Sequence, residues 1–251
     1  MENKIKIDED LYIGGEEFIF IAGPCAVENL EQIDEIGAFL YKLGIKILRG
    51  GAFKPRTDPK SFQGLGIEGI EILKKIKEKY NFKIISEIMD PRDIEIFHDY
   101  IDIFQIGSRN MYNYSLLKEM GKIDKPILLK RGMSATIEEW IKAAEYIEIG
   151  GNNNIIFCER GIRSFDNYTR NMLDLMSVPI IKEKTNYPII VDPSHGTGRR
   201  ELILPATKAA LALEADGVMI EVHPNPEEAL SDGQQSLNFN EFKELLLEIN
   251  N

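Results

Sequence analysis

What is scarce in this chain narrows its function before any motif is read. Cysteine occurs twice in 251 residues, at Cys25 and Cys158, with no CxxC spacing. That is too sparse for a disulfide framework or a zinc ribbon, and it fits a reducing compartment. Basic residues are outnumbered, 30 Lys and Arg against 41 Asp and Glu, for a formal net charge of −11. Such a chain is not expected to take nucleic acid or an anionic membrane as its main partner, and any local cluster of cations in it stands out. No apolar run approaches the roughly 20 residues that cross a bilayer, and the opening MENKIKIDEDLY has no apolar signal core. The expectation is a cytoplasmic protein. No Pro/Gly-rich linker, repeat or low-complexity tract divides the sequence, so one domain suffices.

What is present is a regular alternation. Short β-branched runs at 18–22, 45–48, 83–86, 101–106, 126–129, 154–157, 187–191 and 217–220 are separated by stretches of helical period, such as Ile70, Leu73, Ile76 and Tyr80. Thr136 and Glu139 have the spacing of a capping box ahead of Ile137, Trp140, Ile141 and Ala144. Strands this apolar need cover on both faces, and their alternation with helices implies parallel pairing. Eight such units predict an α/β fold, a single (β/α)8 TIM barrel. An open doubly wound sheet is the rival, but the first strand runs into Ala-Gly-Pro-Cys-Ala rather than a Gly-rich phosphate turn. Ile5 to Ile13 reads as a hairpin plugging the barrel bottom, which gives a hairpin extension at 1–16 and a barrel at 17–251.

In such a barrel the chemistry sits where strands end. Predicted strand ends deliver Arg49 and Lys54, Arg109, Lys130 with Arg131, and Arg160 to one rim, although the chain is acidic. Cations gathered there repel one another unless a phosphate or carboxylate is the natural occupant; the alternative is pairing with neighbouring acids. A second group is Cys25, His195, Glu221 and Asp232. Strand one closes against strand eight, so three of these come from consecutive staves; singly, Cys25 reads as a buried small hydrophobe and His195 as a loop residue, but their joint placement favours a mixed S, N, O site for a divalent transition ion. Cys158 lies two before Arg160, on the same face a layer deeper, and reads as core. His98 reads as a solvent-facing helix residue, and His223 as either near the mouth or supporting its loop.

These residues fall in the stretches GPCAVE (23–28), LRGGAFKPRT (48–57), IGSRNM (106–111), LLKRGM (128–133), CERGIR (158–163), DPSHGTGRR (192–200) and EVHPNPEEALSDGQQSL (221–237). In them the chain resembles the 3-deoxy-D-arabino-heptulosonate 7-phosphate (DAHP) synthases, nearly end to end, and most the short type I beta branch. That branch shares its outline with the 3-deoxy-D-manno-octulosonate 8-phosphate synthases. The run Lys54-Pro55-Arg56-Thr57 is like the former; the latter typically carry Ala-Asn-Arg-Ser there.

The resemblance implies condensation of phosphoenolpyruvate with erythrose 4-phosphate and water, releasing phosphate, at the entry to the shikimate pathway. It implies one divalent ion (Mn, Fe, Co, Zn or similar) on Cys25, His195, Glu221 and Asp232, supplying Lewis acidity at the aldehyde oxygen. Arg49, Lys54, Arg109, Lys130 and Arg160 would hold phosphoenolpyruvate, and Arg56 and Thr57, with Ser108 nearby, the sugar phosphate. Lys130 or a metal-bound water is the expected proton handler, and Glu87 a lesser candidate for orienting that water. A homodimer or homotetramer is expected. The sequence contains no appended regulatory domain, so control within it by an aromatic amino acid is not expected. The alternatives are the octulosonate reaction with arabinose 5-phosphate, and an idle barrel serving as partner for a separate chorismate mutase.

Overall fold

The computed structural model describes residues 4–250. Eight parallel strands close into a barrel: β3 (Ile19–Gly23), β4 (Ile47–Arg49), β5 (Lys83–Glu87), β6 (Ile103–Ile106), β7 (Ile127–Lys130), β8 (Ile155–Glu159), β9 (Ile189–Val191) and β10 (Gly217–Glu221), with β10 paired to β3. Preceding them, β1 (Ile5–Asp8) and β2 (Leu11–Ile13) form an antiparallel pair, the expected hairpin. The helices α1 (Leu30–Lys42), α2 (Ile67–Tyr80), α3 (Ile94–His98), α4 (Tyr114–Met120), α5 (Ile137–Ile149), α6 (Ser177–Lys184), α7 (Pro193–Thr197), α8 (Ile203–Ala212) and α9 (Phe239–Asn250) occupy the connections and the C-terminus. Every predicted strand lies within two residues of an observed one.

Period-two alternation along each strand sorts its side chains into two cores. On β7, Ile127 and Leu129 face the helices while Leu128 faces the barrel axis. On β8, Ile155 and Phe157 face out, and Ile156 and Cys158 in. The inner core is thus Ile19, Ile21, Ile47, Ile85, Ile103, Leu128, Ile156, Cys158, Ile190 and Met219, and the hairpin's Ile5, Leu11 and Ile13 join it. A barrel of this size fills its interior with side chains, so the inner core is a packed floor for whatever lies above it. Lys83 Nζ ties the hairpin down through Asp8 at 2.7 Å.

The helices form for local reasons that the sequence carries. Ile70, Leu73 and Ile76 bury one stripe of α2, and Trp140, Ala143, Ala144 and Ile147 one stripe of α5. At the start of α5, Thr136 Oγ1 accepts from Glu139 N at 3.2 Å and Glu139 Oε2 accepts from Thr136 N at 2.8 Å, the reciprocal box read from sequence. His98 ends α3 and contacts Asp124 at the surface, as expected.

Candidate active site

Continuing the same alternation one step past the apolar floor changes its chemistry. Two residues beyond the inward Ile21, Ile47, Ile85, Ile103, Leu128, Ile190 and Met219 come Gly23, Arg49, Glu87, Gln105, Lys130, Asp192 and Glu221. This layer and the loops above it surround a cavity of about 290 Å³ at the carboxyl ends of the strands. Gly23 is required there: at φ +148°, a Cβ would meet Arg49 O at 2.0 Å. At Gly107 a Cβ would fall 2.0 Å from Glu87 Oε1, so any side chain there would have to displace the Glu87 carboxylate.

One wall is the four-residue group. The candidate ligand atoms of Cys25, His195, Glu221 and Asp232 all lie within 4.8 Å of one another. The first three come from the carboxyl ends of β3, β9 and β10, adjacent staves as expected, and Asp232 from the loop after β10. His195 Nε2 is 3.3 Å from Glu221 Oε1 and 4.0 Å from Asp232 Oδ2. Cys25 Sγ donates to Asp232 Oδ2 at 3.1 Å and accepts from Lys54 Nζ at 3.0 Å. Burial, reinforced by Glu221, pushes the Cys25 thiol up to about 12. Burial also lowers His195, which favours the neutral imidazole. Its Nδ1–H then donates to Asp192 Oδ2 at 2.7 Å, leaving the Nε2 lone pair toward the carboxylates. Burial opposes the charge on Glu221, but His195, when protonated, and Arg49, which is always charged, outweigh it and hold that carboxyl below its ordinary value. One sulfur, one imidazole nitrogen of fixed tautomer and two ionised carboxylates suit a borderline divalent ion, so the residues fit the expected metal.

Facing this wall are the cations. Arg49 Nη1 bonds Glu221 Oε1 at 2.5 Å, and its Nε is buried without a partner among the described residues. Lys130 Nζ bonds Asp192 Oδ2 at 2.5 Å. Arg160, 5 % exposed, makes one side-chain hydrogen bond among the described residues, to Gly161 O at 3.2 Å, and burial holds its guanidinium below the usual value. Arg109 Nη2 donates to Thr57 Oγ1 at 3.2 Å, joining two loops of the rim. Arg56 Nη1 donates to Ser231 Oγ at 2.7 Å and stands 3.9 Å from Asp232. Glu87 sits below them with its carboxyl raised by burial; Oε1 has no partner among the described residues, and Oε2 accepts from Gln105 Nε2 at 3.3 Å.

The structure therefore brings Arg49, Lys54, Arg56, Thr57, Glu87, Ser108, Arg109, Lys130, Arg160, His195 and Asp232 to one cavity, with Cys25 and Glu221 bonded to its wall. One rim expectation fails. Arg131, next to Lys130, points to the opposite side of β7, where it pairs with Glu159 at 3.0 Å and Asp174 at 2.7 Å. His223 supports its loop, accepting from Asn225 N at 3.1 Å. Participants that were not singled out by sequence include Gln105, Asp192 and Arg170. The first two were accessible in principle, being two residues past inward apolar positions; Arg170 lies in a loop with no period to place it.

The match of a family model decides the relationship: the model described as DAHP synthetase I family spans residues 2–251. The chain belongs to this family. A phospho-2-dehydro-3-deoxyheptonate aldolase of Thermotoga maritima is 52 % identical over 96 % of this chain and 71 % of its own length. The crystal structure of the DAHP synthase from T. maritima superposes with a TM-score of 0.96 at 51 % identity, covering 99 % of this chain and 73 % of that one. A 2-dehydro-3-deoxyphosphooctonate aldolase of Fusobacterium nucleatum is 31 % identical over 97 % of this chain and 93 % of its own length. Membership in the DAHP synthetase I family makes the chain an enzyme, and the higher identity lies with the heptonate aldolase. Among the described residues no helix is long and apolar enough to cross a membrane.

Proposed function

We propose that this enzyme condenses phosphoenolpyruvate with D-erythrose 4-phosphate and water to give DAHP and inorganic phosphate, in the cytoplasm, with residues 17–251 as its catalytic unit. The observation that carries the reading is the pairing, in one cavity, of a four-donor metal corner with a buried arc of cations, of which Arg160 has no carboxylate within ion-pair distance among the described residues. A buried guanidinium without an acid is costly in an empty site, and an anionic substrate offsets that cost.

In this reading Arg49, Lys54, Arg109, Lys130 and Arg160 hold the phosphate and carboxylate of phosphoenolpyruvate, and Arg56 with Thr57, beside Ser108, takes the sugar phosphate. One divalent ion, Mn, Fe, Co or Zn, held by Cys25, His195, Glu221 and Asp232 supplies Lewis acidity to the aldehyde. Carbon three of the enol bonds to the aldehyde carbon, whose oxygen gains a proton. Water adds at carbon two, and phosphate leaves as its bond to that carbon breaks. Lys130, anchored on Asp192 beside the cavity, is placed to move the proton, and Lys130 and Arg160 offset the charge that shifts toward the carboxylate. Glu87, which lines the cavity and has one buried oxygen without a partner among the described residues, is the candidate for orienting the water.

The second reading is the octulosonate reaction, which shares every element except the aldehyde. The run Lys54-Pro55-Arg56-Thr57 on the cavity wall is where the chain resembles the heptulosonate rather than the octulosonate enzymes, and that resemblance favours the shorter sugar. Each aldehyde is to be incubated with phosphoenolpyruvate after chelation and re-addition of single metals, with released phosphate measured. Turnover only with arabinose 5-phosphate would overturn the proposal, and none with either aldehyde would point to an idle barrel. A homodimer or homotetramer belongs to the same proposal.

A further inference from the structure

The segment after β8, residues 161–176, carries no helix and folds back over the metal corner. Ile162 and Met172 close it into a narrow loop, each N–H bonding the other's carbonyl at 3.0 and 2.9 Å. It then docks on α7: Arg170 N donates to Thr197 O at 2.8 Å, and Asn171 Nδ2 to His195 O at 2.9 Å. The reaction derived above uses neither residue.

Arg170 makes the further contact that matters. Its Nη1 donates to Asp232 Oδ1 at 3.3 Å and to Gln235 Oε1 at 2.7 Å. Gln235 is fully buried and donates Nε2 to Glu221 Oε2 at 2.7 Å. A guanidinium only donates and a carboxylate only accepts, so the amide between them has one possible orientation. The guanidinium therefore occupies one oxygen of Asp232 directly and one of Glu221 through a single amide. The oxygens that this pair does not hold, Asp232 Oδ2 and Glu221 Oε1, are those 4.0 and 3.3 Å from His195 Nε2; in the metal-free site Oδ2 accepts from Cys25 Sγ and Oε1 from Arg49 Nη1. Asp232 stands in the loop after β10 with a left-handed backbone, φ +54°.

We propose that Arg170 is a positioning residue that acts through Gln235: it presents Asp232 and Glu221 each by one oxygen to the ion shared with Cys25 and His195. This rests on the metal reading above. The competing role is a direct substrate contact, since Arg170 also lines the cavity.

Cobalt(II) titrated into the metal-stripped full chain tests it. A thiolate charge-transfer band reports Cys25, the ligand-field bands report coordination, and chelator competition gives the affinity. Arg170→Met and Gln235→Met should each weaken Co²⁺ binding by about 10–100-fold and shift the ligand-field bands. The double variant should lose less than the product of the two, because both cut one path. Arg170→Lys, which keeps the charge on a different geometry, should recover part of the affinity. Arg199→Ala, which cuts a bond from Arg199 Nη1 to Tyr168 O in the same loop, should bind like wild type. Wild-type affinity and spectra in Arg170→Met, even with a raised KM, would overturn the inference. So would an equal loss in Arg199→Ala, which would assign the effect to loop order. If the wild-type chain shows no band that Cys25→Ser abolishes, the metal reading falls and the inference with it.

Discussion

Lys130 and His195 donate to the same oxygen, Oδ2 of Asp192, at 2.5 and 2.7 Å. That oxygen joins the cationic arc to the metal corner, and Asp192 Oδ1 meanwhile caps α7 by accepting from His195 N at 2.9 Å. Burial would raise the Asp192 carboxyl, yet His195 and Lys130 hold it well below the carboxylate range. It is an ionised group with no solvent around it, and its two partners depend on that charge.

Asp192→Asn should therefore disturb both halves of the site. With the amide oxygen at the Oδ2 position, Lys130 and His195 face an uncharged acceptor and the NH2 opposes the His195 N–H; turned over, the amide leaves both side chains without an acceptor. Metal affinity measured by chelator competition should fall by about 10–100-fold, with turnover falling even when metal is saturating. Unchanged affinity would show that His195 is held by packing alone.

Metal binding should be coupled to pH through Cys25. The thiol is pushed up to about 12 in the metal-free site, so at neutral pH an ion must displace its proton. Affinity should rise with pH by about one log unit per unit, and calorimetry in buffers of different ionisation enthalpy should find about one proton released per ion. In Cys25→Ser both the release and most of the bound metal should be lost. A Cys25→Ser variant with near-normal metal content and turnover removes the thiolate from the ligand set.

Arg56→Ala separates the two substrate regions. Loss of a charged hydrogen bond costs about 1.5–3 kcal/mol, roughly 10–100-fold in affinity. Steady-state kinetics should place that loss on the KM for erythrose 4-phosphate, with the KM for phosphoenolpyruvate changed far less. Equal changes would contradict the division of the cavity.

Thr136→Ala probes the scaffold without touching the site. Removing the cap of α5 should cost about 1 kcal/mol and lower the melting temperature by about 2–4 °C. The kcat should be unchanged, because the box lies on the exposed start of a helix. A large fall in kcat would mean that α5 reaches the active site by a route the contacts do not show.

The sequence by itself determined the architecture, because apolar period acts locally. The runs at 83–86 and 217–220 are buried along every residue but Lys83, as observed on β5 and β10, and the one-sided stripe of α2 has nowhere to go but the barrel wall. It also determined which chemical groups reach the mouth: two residues past an inward isoleucine comes another inward residue, which is why Arg49 follows Ile47 and Lys130 follows Leu128. What only the tertiary structure decided is which of those charges answer one another. Lys130 and Arg131 are adjacent and alike in sequence, yet one meets Asp192 above the inner core while the other meets Glu159 and Asp174 behind the strand. Arg170 finds Asp232, 62 residues away, only because the loop after β8 folds over α7. Partner choice depends on distances of a few ångströms in a buried, weakly screened place, and no local pattern in the chain encodes such distances.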